Sequence, residues 1–335
     1  MVQGGRMALA LLRREKSETG ISLFPIEKVA LLYTLLTTVF LCCMYGRLDH
    51  PAAMLCDRCW IVLGTAVFIL IYKLYPCKLT AFLRCAYQLA LLSYWYPDTY
   101  EFNRALPNLD HLFARAEQWI FNCQPAVLFG EHFPQIWISE PLNMGYFSYY
   151  PMIVTVALWY FFCRNHLFQK VSFVLASSFF IYYVIYILLP VAGPQFYFPV
   201  IGEANVANGV FPSVGDYFNT HQELLPGPYC YEHGFFYSLV ESSQQVGERP
   251  TAAFPSSHVG ISTILMLMAW RGSRRLFFCL LPFYVLLCGA TVYIQAHYLI
   301  DAIAGFISAF LIYAFTSWLY RRFFSGKVQC VEDAE

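Results

Sequence analysis

The feature that most constrains this chain is a series of long apolar runs with little or no charge. A helix rises about 1.5 Å per residue, so about 20 such residues cross about 30 Å of hydrocarbon. Residues 29–45, 59–75, 79–96, 146–163, 171–190, 257–270, 276–295 and 298–320 read as candidate spans. The third is the weakest, because Arg84 interrupts it. Composition agrees: 59% of the 335 residues are hydrophobic and 13% are charged, against about 25% charged in a soluble domain. Mean hydropathy is +0.50. These values exclude disorder, a coiled coil and a conventional soluble enzyme. With 21 basic residues against 21 acidic ones, no overall field draws in nucleic acid. The expected class is an all-α integral membrane protein of about eight transmembrane helices.

Basic residues give this layout a direction. With a cytoplasmic N-terminus, sixteen Lys and Arg fall on the inner side and five (Arg47, Arg58, Arg104, Arg115 and Arg249) on the outer, a strong positive-inside bias. Loops 97–145 and 191–255 then lie outside. The expected organisation is a cytoplasmic segment 1–28, accessory helices and an outer loop over 29–145, a core over 146–320 and a cytoplasmic tail 321–335. Basic residues continue to Lys28 without a small-residue cleavage pattern, which argues against a cleaved signal, and Met1-Val2 argues against N-myristoylation. No Asn-x-Ser/Thr sequon occurs, which favours a bacterial inner membrane with a periplasmic site over a glycosylating lumen.

The outer loops carry further expectations. Residues 109–121 read as an amphipathic helix on the interface, with Leu112, Phe113, Ala116, Trp119 and Ile120 on its apolar side. Loop 201–248 is long enough to cover a site and to select an acceptor, or only to pack. Most of the twelve cysteines read as small apolar residues. Cys123 and Cys230 both fall in outer loops and could pair in an oxidising compartment. Cys56 and Cys59 form a single C-x-x-C, short of the four ligands that zinc requires.

Ionisable residues beside membrane spans are costly and usually functional. His297 and Asp301 are four residues apart, so on a helix they share one face, with Cβ atoms about 5–6 Å apart. A carboxylate there can accept the imidazole Nδ1–H, fix the tautomer and leave Nε2 as a nucleophile. His258 lies 39 residues earlier, about two crossings, so both histidines reach the same outer face. Pro255 breaks the backbone before it, placing Ser256 and Ser257 in a first helical turn, where free N–H groups bind anions. The set suits phosphoryl transfer: one histidine attacks phosphorus and the other protonates the leaving oxygen. A helix-end histidine is commonly only a polar tip. Two histidines and an aspartate could also hold zinc or iron, but the serines would then have no role. A proton relay in a transporter is the remaining rival, and its groups are expected at mid-membrane.

Phe254-Pro-Ser-Ser-His-Val-Gly260 and Ala296-His-Tyr-Leu-Ile-Asp-Ala-Ile-Ala-Gly305 resemble the second and third signatures of the type 2 phosphatidic acid phosphatase superfamily. The closest likeness is to its inositol phosphorylceramide synthase-like branch, which also has a Thr-x-Tyr run such as Thr291-Val292-Tyr293 before the third signature. The resemblance is specific over residues 187–305 and weak before 145. It implies a C-terminal six-helix catalytic core, with His297 as nucleophile, Asp301 as its orienter and His258 as general acid, and no metal or other cofactor. The implied partner is a lipid in the bilayer.

The first signature departs from the phosphatase pattern of lysine and Arg-Pro. No lysine lies between Lys170 and Lys327, and residues 191–197 read Val-Ala-Gly-Pro-Gln-Phe-Tyr, similar to the synthase-like branch. Gln195 stands where many bacterial relatives carry arginine. Arg249 is the nearest guanidinium, suited to bidentate oxyanion binding or to a structural role in its loop. A phosphomonoester carries about −1.5 to −2 near pH 7, whereas a diester carries one charge. A site with one arginine and no lysine is better matched to the diester. The expected activity is transfer of a phosphate-linked headgroup between lipids, with a lipid phosphate or pyrophosphate phosphatase as the alternative. Expected phosphate-binding residues are Ser256, Ser257, Arg249 and Gln195.

Overall fold

The computed structural model describes residues 11–14, 22–225 and 233–324, and no strand occurs among them. Helices satisfy their own backbone groups, which hydrocarbon demands. In chain order they are α1 (Pro25–Met44), α2 (Pro51–Leu74), α3 (Lys78–Ala90), α4 (Leu92–Asn103), α5 (Asp110–Phe121), α6 (Pro125–His132), α7 (Ile136–Phe147), α8 (Tyr149–Cys163), α9 (Asn165–Leu188), α10 (Pro194–Ile201), α11 (Glu203–Ala207), α12 (Phe235–Gly247), α13 (Ser257–Gly272), α14 (Arg274–Tyr293) and α15 (Leu299–Phe324).

Among the described residues, five helices are long and apolar enough to cross a membrane: α1 with the turn after it, α2, α9, α14 and α15. A sixth span results if α7 and α8, bent by 45° where they join, act as one. These helices fit an integral membrane protein. Two of the eight expected runs are shorter helices. Residues 79–96 divide at Leu91 into α3, of 13 residues, and α4. Residues 257–270 correspond to α13, of 16 residues, closed by Ser273, which caps α14. The expected loop 201–248 is also more regular than its composition suggests, since it holds α11 and α12.

The described residues form two compact units, one within residues 1–94, 161–177 and 316–335 and the other within residues 95–160 and 178–315. In the first, Arg84 of α3 is 2% exposed. Its Nε donates to Glu27 Oε1 at 2.7 Å, its Nη2 to Glu27 Oε2, and its guanidinium lies 3.7 Å from the Phe24 ring centre. A charge interrupts this run because a buried carboxylate on α1 meets it in bidentate geometry. In the second unit, Leu142 and Tyr146 of α7 form a buried cluster with Val240 of α12 and Ala290, Tyr293 and Ile294 at the end of α14.

Candidate active site

Three separated segments of the second unit are joined by backbone hydrogen bonds. Gln195 N–H donates to Gln295 O (2.9 Å), Ala253 N–H to Val191 O (3.0 Å) and Ser256 N–H to Asp301 O (3.0 Å). Gly193 has φ +95°, and a Cβ there would stand 2.7 Å from Ala296 O, so only glycine permits this approach. Gln295 takes φ +62°, a left-handed turn residue just before His297.

His297 therefore sits in a turn, two residues before α15 begins at Leu299. The helical spacing expected of His297 and Asp301 does not hold, and this changes the hydrogen bonding. His297 Nδ1 lies 2.8 Å from the Ala253 carbonyl oxygen and 3.7 Å from Asp301 Oδ2, beyond hydrogen-bond range. Asp301 Oδ2 instead accepts the Tyr298 N–H at 2.9 Å. A carbonyl oxygen only accepts, so Nδ1 carries the proton and Nε2 presents its lone pair. The outcome expected of the carboxylate is achieved by a backbone group.

His297 Nε2 faces His258 Nδ1 at 3.4 Å. His258, in the first turn of α13, lies against Tyr146 and Tyr149, with ring centres 4.7 and 4.5 Å away. With a lone pair on His297 Nε2, the proton at this contact belongs to His258 Nδ1. His297 is buried, and burial pushes it down to about 4 against the Ala253 hydrogen bond and the Glu248 charge. It is neutral at neutral pH.

One cavity gathers most of the expected residues. Its wall includes His297, His258, Ser257, Arg249 and Gln195, joined by Tyr146 and Glu248. It holds about 20 Å³, room for about one water. Ser256 does not line it: this residue is fully buried and caps α13, its Oγ accepting Val259 N–H at 3.4 Å. Ser257 N–H is occupied by the Tyr186 hydroxyl at 3.0 Å. Arg249 Nη1 donates to Glu248 O at 2.9 Å. Among the described residues, no group of three or more His, Cys, Asp or Glu is placed to hold a metal. Cys123 carries a free thiol, and Cys230 lies outside the described residues.

Glu248 is the residue that sequence reasoning missed. Its carboxylate accepts the Tyr146 hydroxyl at 2.9 Å and the Gln195 amide, and Gln195 Oε1 in turn accepts from Gln244 at 3.1 Å. Burial pushes this carboxyl above the ordinary range, against those hydrogen bonds and the neighbouring His297. An acidic residue directly before Arg249 in a charge-poor chain is the one signal that could have found it.

The expected interfacial helix is α5, and its orientation is informative. Leu112, Ala116, Trp119 and Ile120 are exposed, whereas Asp110, Ala114 and Glu117 are fully buried. Asp110 accepts the N–H groups of Ala192 (2.6 Å) and Gly193 (2.8 Å) and the Tyr298 hydroxyl (3.0 Å). The polar face of α5 thus holds the first and third segments together.

Residues 111–315, more than half of the chain, match the model of the PAP2 superfamily. The chain belongs to that superfamily. The matched region runs from α5 into α15 and so contains all three joined segments. No curated protein and no solved structure matches the chain. Members of the PAP2 superfamily are phosphatases and phosphotransferases, and His258 and His297 both lie within the matched region.

Proposed function

We propose that this protein is a membrane lipid phosphotransferase of the inositol phosphorylceramide synthase-like kind, moving a phosphate-linked headgroup through a phosphohistidine intermediate. The observation that carries the reading is the pairing of His297 Nε2 with His258 Nδ1 across 3.4 Å at a common cavity. His297 Nε2 attacks phosphorus while the Ala253 carbonyl holds the proton on Nδ1. His258, entering the step as an imidazolium, gives one proton to the leaving lipid oxygen and becomes a neutral imidazole, so that bond breaks as the N–P bond forms. An acceptor hydroxyl then attacks the phosphohistidine and returns a proton to His258, which restores the His258 imidazolium and the neutral His297.

Arg249 is assigned to the phosphate, because the Ser257 and Val259 amides at the start of α13 are already held by Tyr186 and the Ser256 side chain. Asp301 is assigned to positioning, through the Tyr298 amide and its charge near His297. A wall with one arginine, one glutamate and no lysine favours a singly charged diester donor over a monoester. The positive-inside count supports a site on the periplasmic face of a bacterial inner membrane.

The test follows phosphorus. The purified protein and its His297→Ala variant are incubated with mixed membrane lipids, and products are resolved by mass spectrometry. A new headgroup-bearing lipid, absent with the variant, supports the transferase. Free phosphate alone makes the protein a phosphatase, and turnover by His297→Ala overturns the mechanism.

A further inference from the structure

Three carboxyl groups, Asp110, Glu117 and Asp301, are fully buried around the turn that carries His297. Asp110 is well supplied with donors: Asn108, two backbone amides and the Tyr298 hydroxyl. The other two share a pattern. Asp301 Oδ2 accepts Tyr298 N–H at 2.9 Å, and Glu117 Oε1 accepts Leu299 N–H at 2.6 Å and Ile300 N–H at 3.3 Å. Three consecutive amides at the start of α15 are thus held by two carboxyls, one of them on α5. The second oxygen of each, Asp301 Oδ1 and Glu117 Oε2, is buried and reached by no donor.

Successive amides are only a few ångströms apart, since Cα atoms are 3.8 Å apart along the chain. Two ionised carboxylates bound to such neighbours would repel strongly in a site closed to water, and one proton between them removes the conflict. We propose that Glu117 is a protonated positioning residue. Its Oε2–H donates to Asp301 Oδ1 while its Oε1 holds the Leu299 and Ile300 amides, fixing the turn that presents His297.

Burial, with the Asp301 charge beside it, raises Glu117 to about 8 against its two amide hydrogen bonds, so the proton is present at neutral pH. The groups that face Glu117 are Asp301 and Tyr298, the latter tied to Asp110. His111 and Arg115 lie on other faces of α5 by helical spacing, and Arg115 is bonded to Phe211 O. The proton is lost as pH rises through about 8. The pair then carries two charges, and the turn loosens.

The catalytic consequence rests on the phosphotransfer reading, but the proton can be tested without it. Infrared difference spectra of wild type against Glu117→Gln in detergent should contain a protonated-carboxyl C=O band below pH 8 that vanishes above it. Absence of that band overturns the proposal. Turnover supplies the second arm. Glutamine can accept both amides and donate to Asp301, so Glu117→Gln should keep measurable turnover at pH 7 and lose the alkaline fall of the wild type. Glu117→Ala should lower kcat by about 10–100-fold with little change in KM, as displacement of a reacting group by about 1 Å does. Glutamine as damaging as alanine, or an unchanged alkaline limb in Glu117→Gln, overturns the proposal. An inactive wild type with the band intact would count against the phosphotransfer reading alone.

Discussion

The His297 imidazole donates Nδ1–H to the carbonyl oxygen of Ala253, 44 residues earlier, at 2.8 Å. This bond joins the second and third segments of the site and leaves Nε2 facing His258 at 3.4 Å. It also separates two functions that a shared helix face would have combined. The carbonyl fixes the tautomer, and Asp301 fixes the turn.

That separation predicts unequal costs. His297→Ala and His258→Ala should abolish transfer in a lipid assay. Asp301→Asn can still accept the Tyr298 amide, so kcat should fall only by about 10–100-fold, the range for positioning groups around a site. A complete loss in Asp301→Asn, with the protein folded, would show that the charge itself is required.

The pH dependence of kcat/KM reports the free enzyme. His297 is depressed by burial to about 4, so its nucleophilic neutral form persists down to that pH, and on the acid side kcat/KM should hold until pH drops through about 4. A charge on Glu248 favours protonated His297. Glu248 is itself held above the ordinary carboxylate range, however, so it is already protonated where His297 titrates. Glu248→Gln should therefore leave the acid limb at about 4. A limb fixed near 6.5 in both proteins would contradict the buried, neutral histidine.

Gly305 is a close-approach position on α15. A Cβ there would stand 2.3 Å from the Ser256 carbonyl oxygen, a backbone atom with little freedom. Gly305→Ala should shift α15 against the α13 cap, weaken the Ser256–Asp301 backbone bond of 3.0 Å and cost about 1–3 kcal/mol. At Gly46 a Cβ meets nothing within 4 Å, and Gly46→Ala should stay within about 0.5 kcal/mol. Thermal unfolding in detergent compares the two.

The Arg84–Glu27 pair should behave as a buried ion pair. Glu27→Ala leaves an uncompensated guanidinium and should cost about 3–5 kcal/mol, whereas Glu27→Leu with Arg84→Met should recover much of the loss. Unfolding of the two variants in detergent measures the difference. Equal destabilisation would show that the residues act separately.

Hydropathy and residue type alone determined a good deal here. The apolar runs marked most of the long helices, because burial in hydrocarbon is a local demand on each stretch. The spacing of His258 and His297 placed them on one face, and they do meet, across 3.4 Å. The shared helix face expected of His297 and Asp301 is replaced by a turn. Other features were decided only by packing. Arg84 read as an interruption, because its partner Glu27 lies 57 residues away. Only the apolar side of the helix over 109–121 was legible; Asp110 and Glu117, off that side, are its buried face, because the amides of Ala192, Gly193 and Leu299 supply donors that water would otherwise provide. The role of Ala253 leaves no mark on its side chain at all, since the group that fixes His297 is a backbone carbonyl. A backbone acceptor is common to every residue, so only the tertiary structure could select this one.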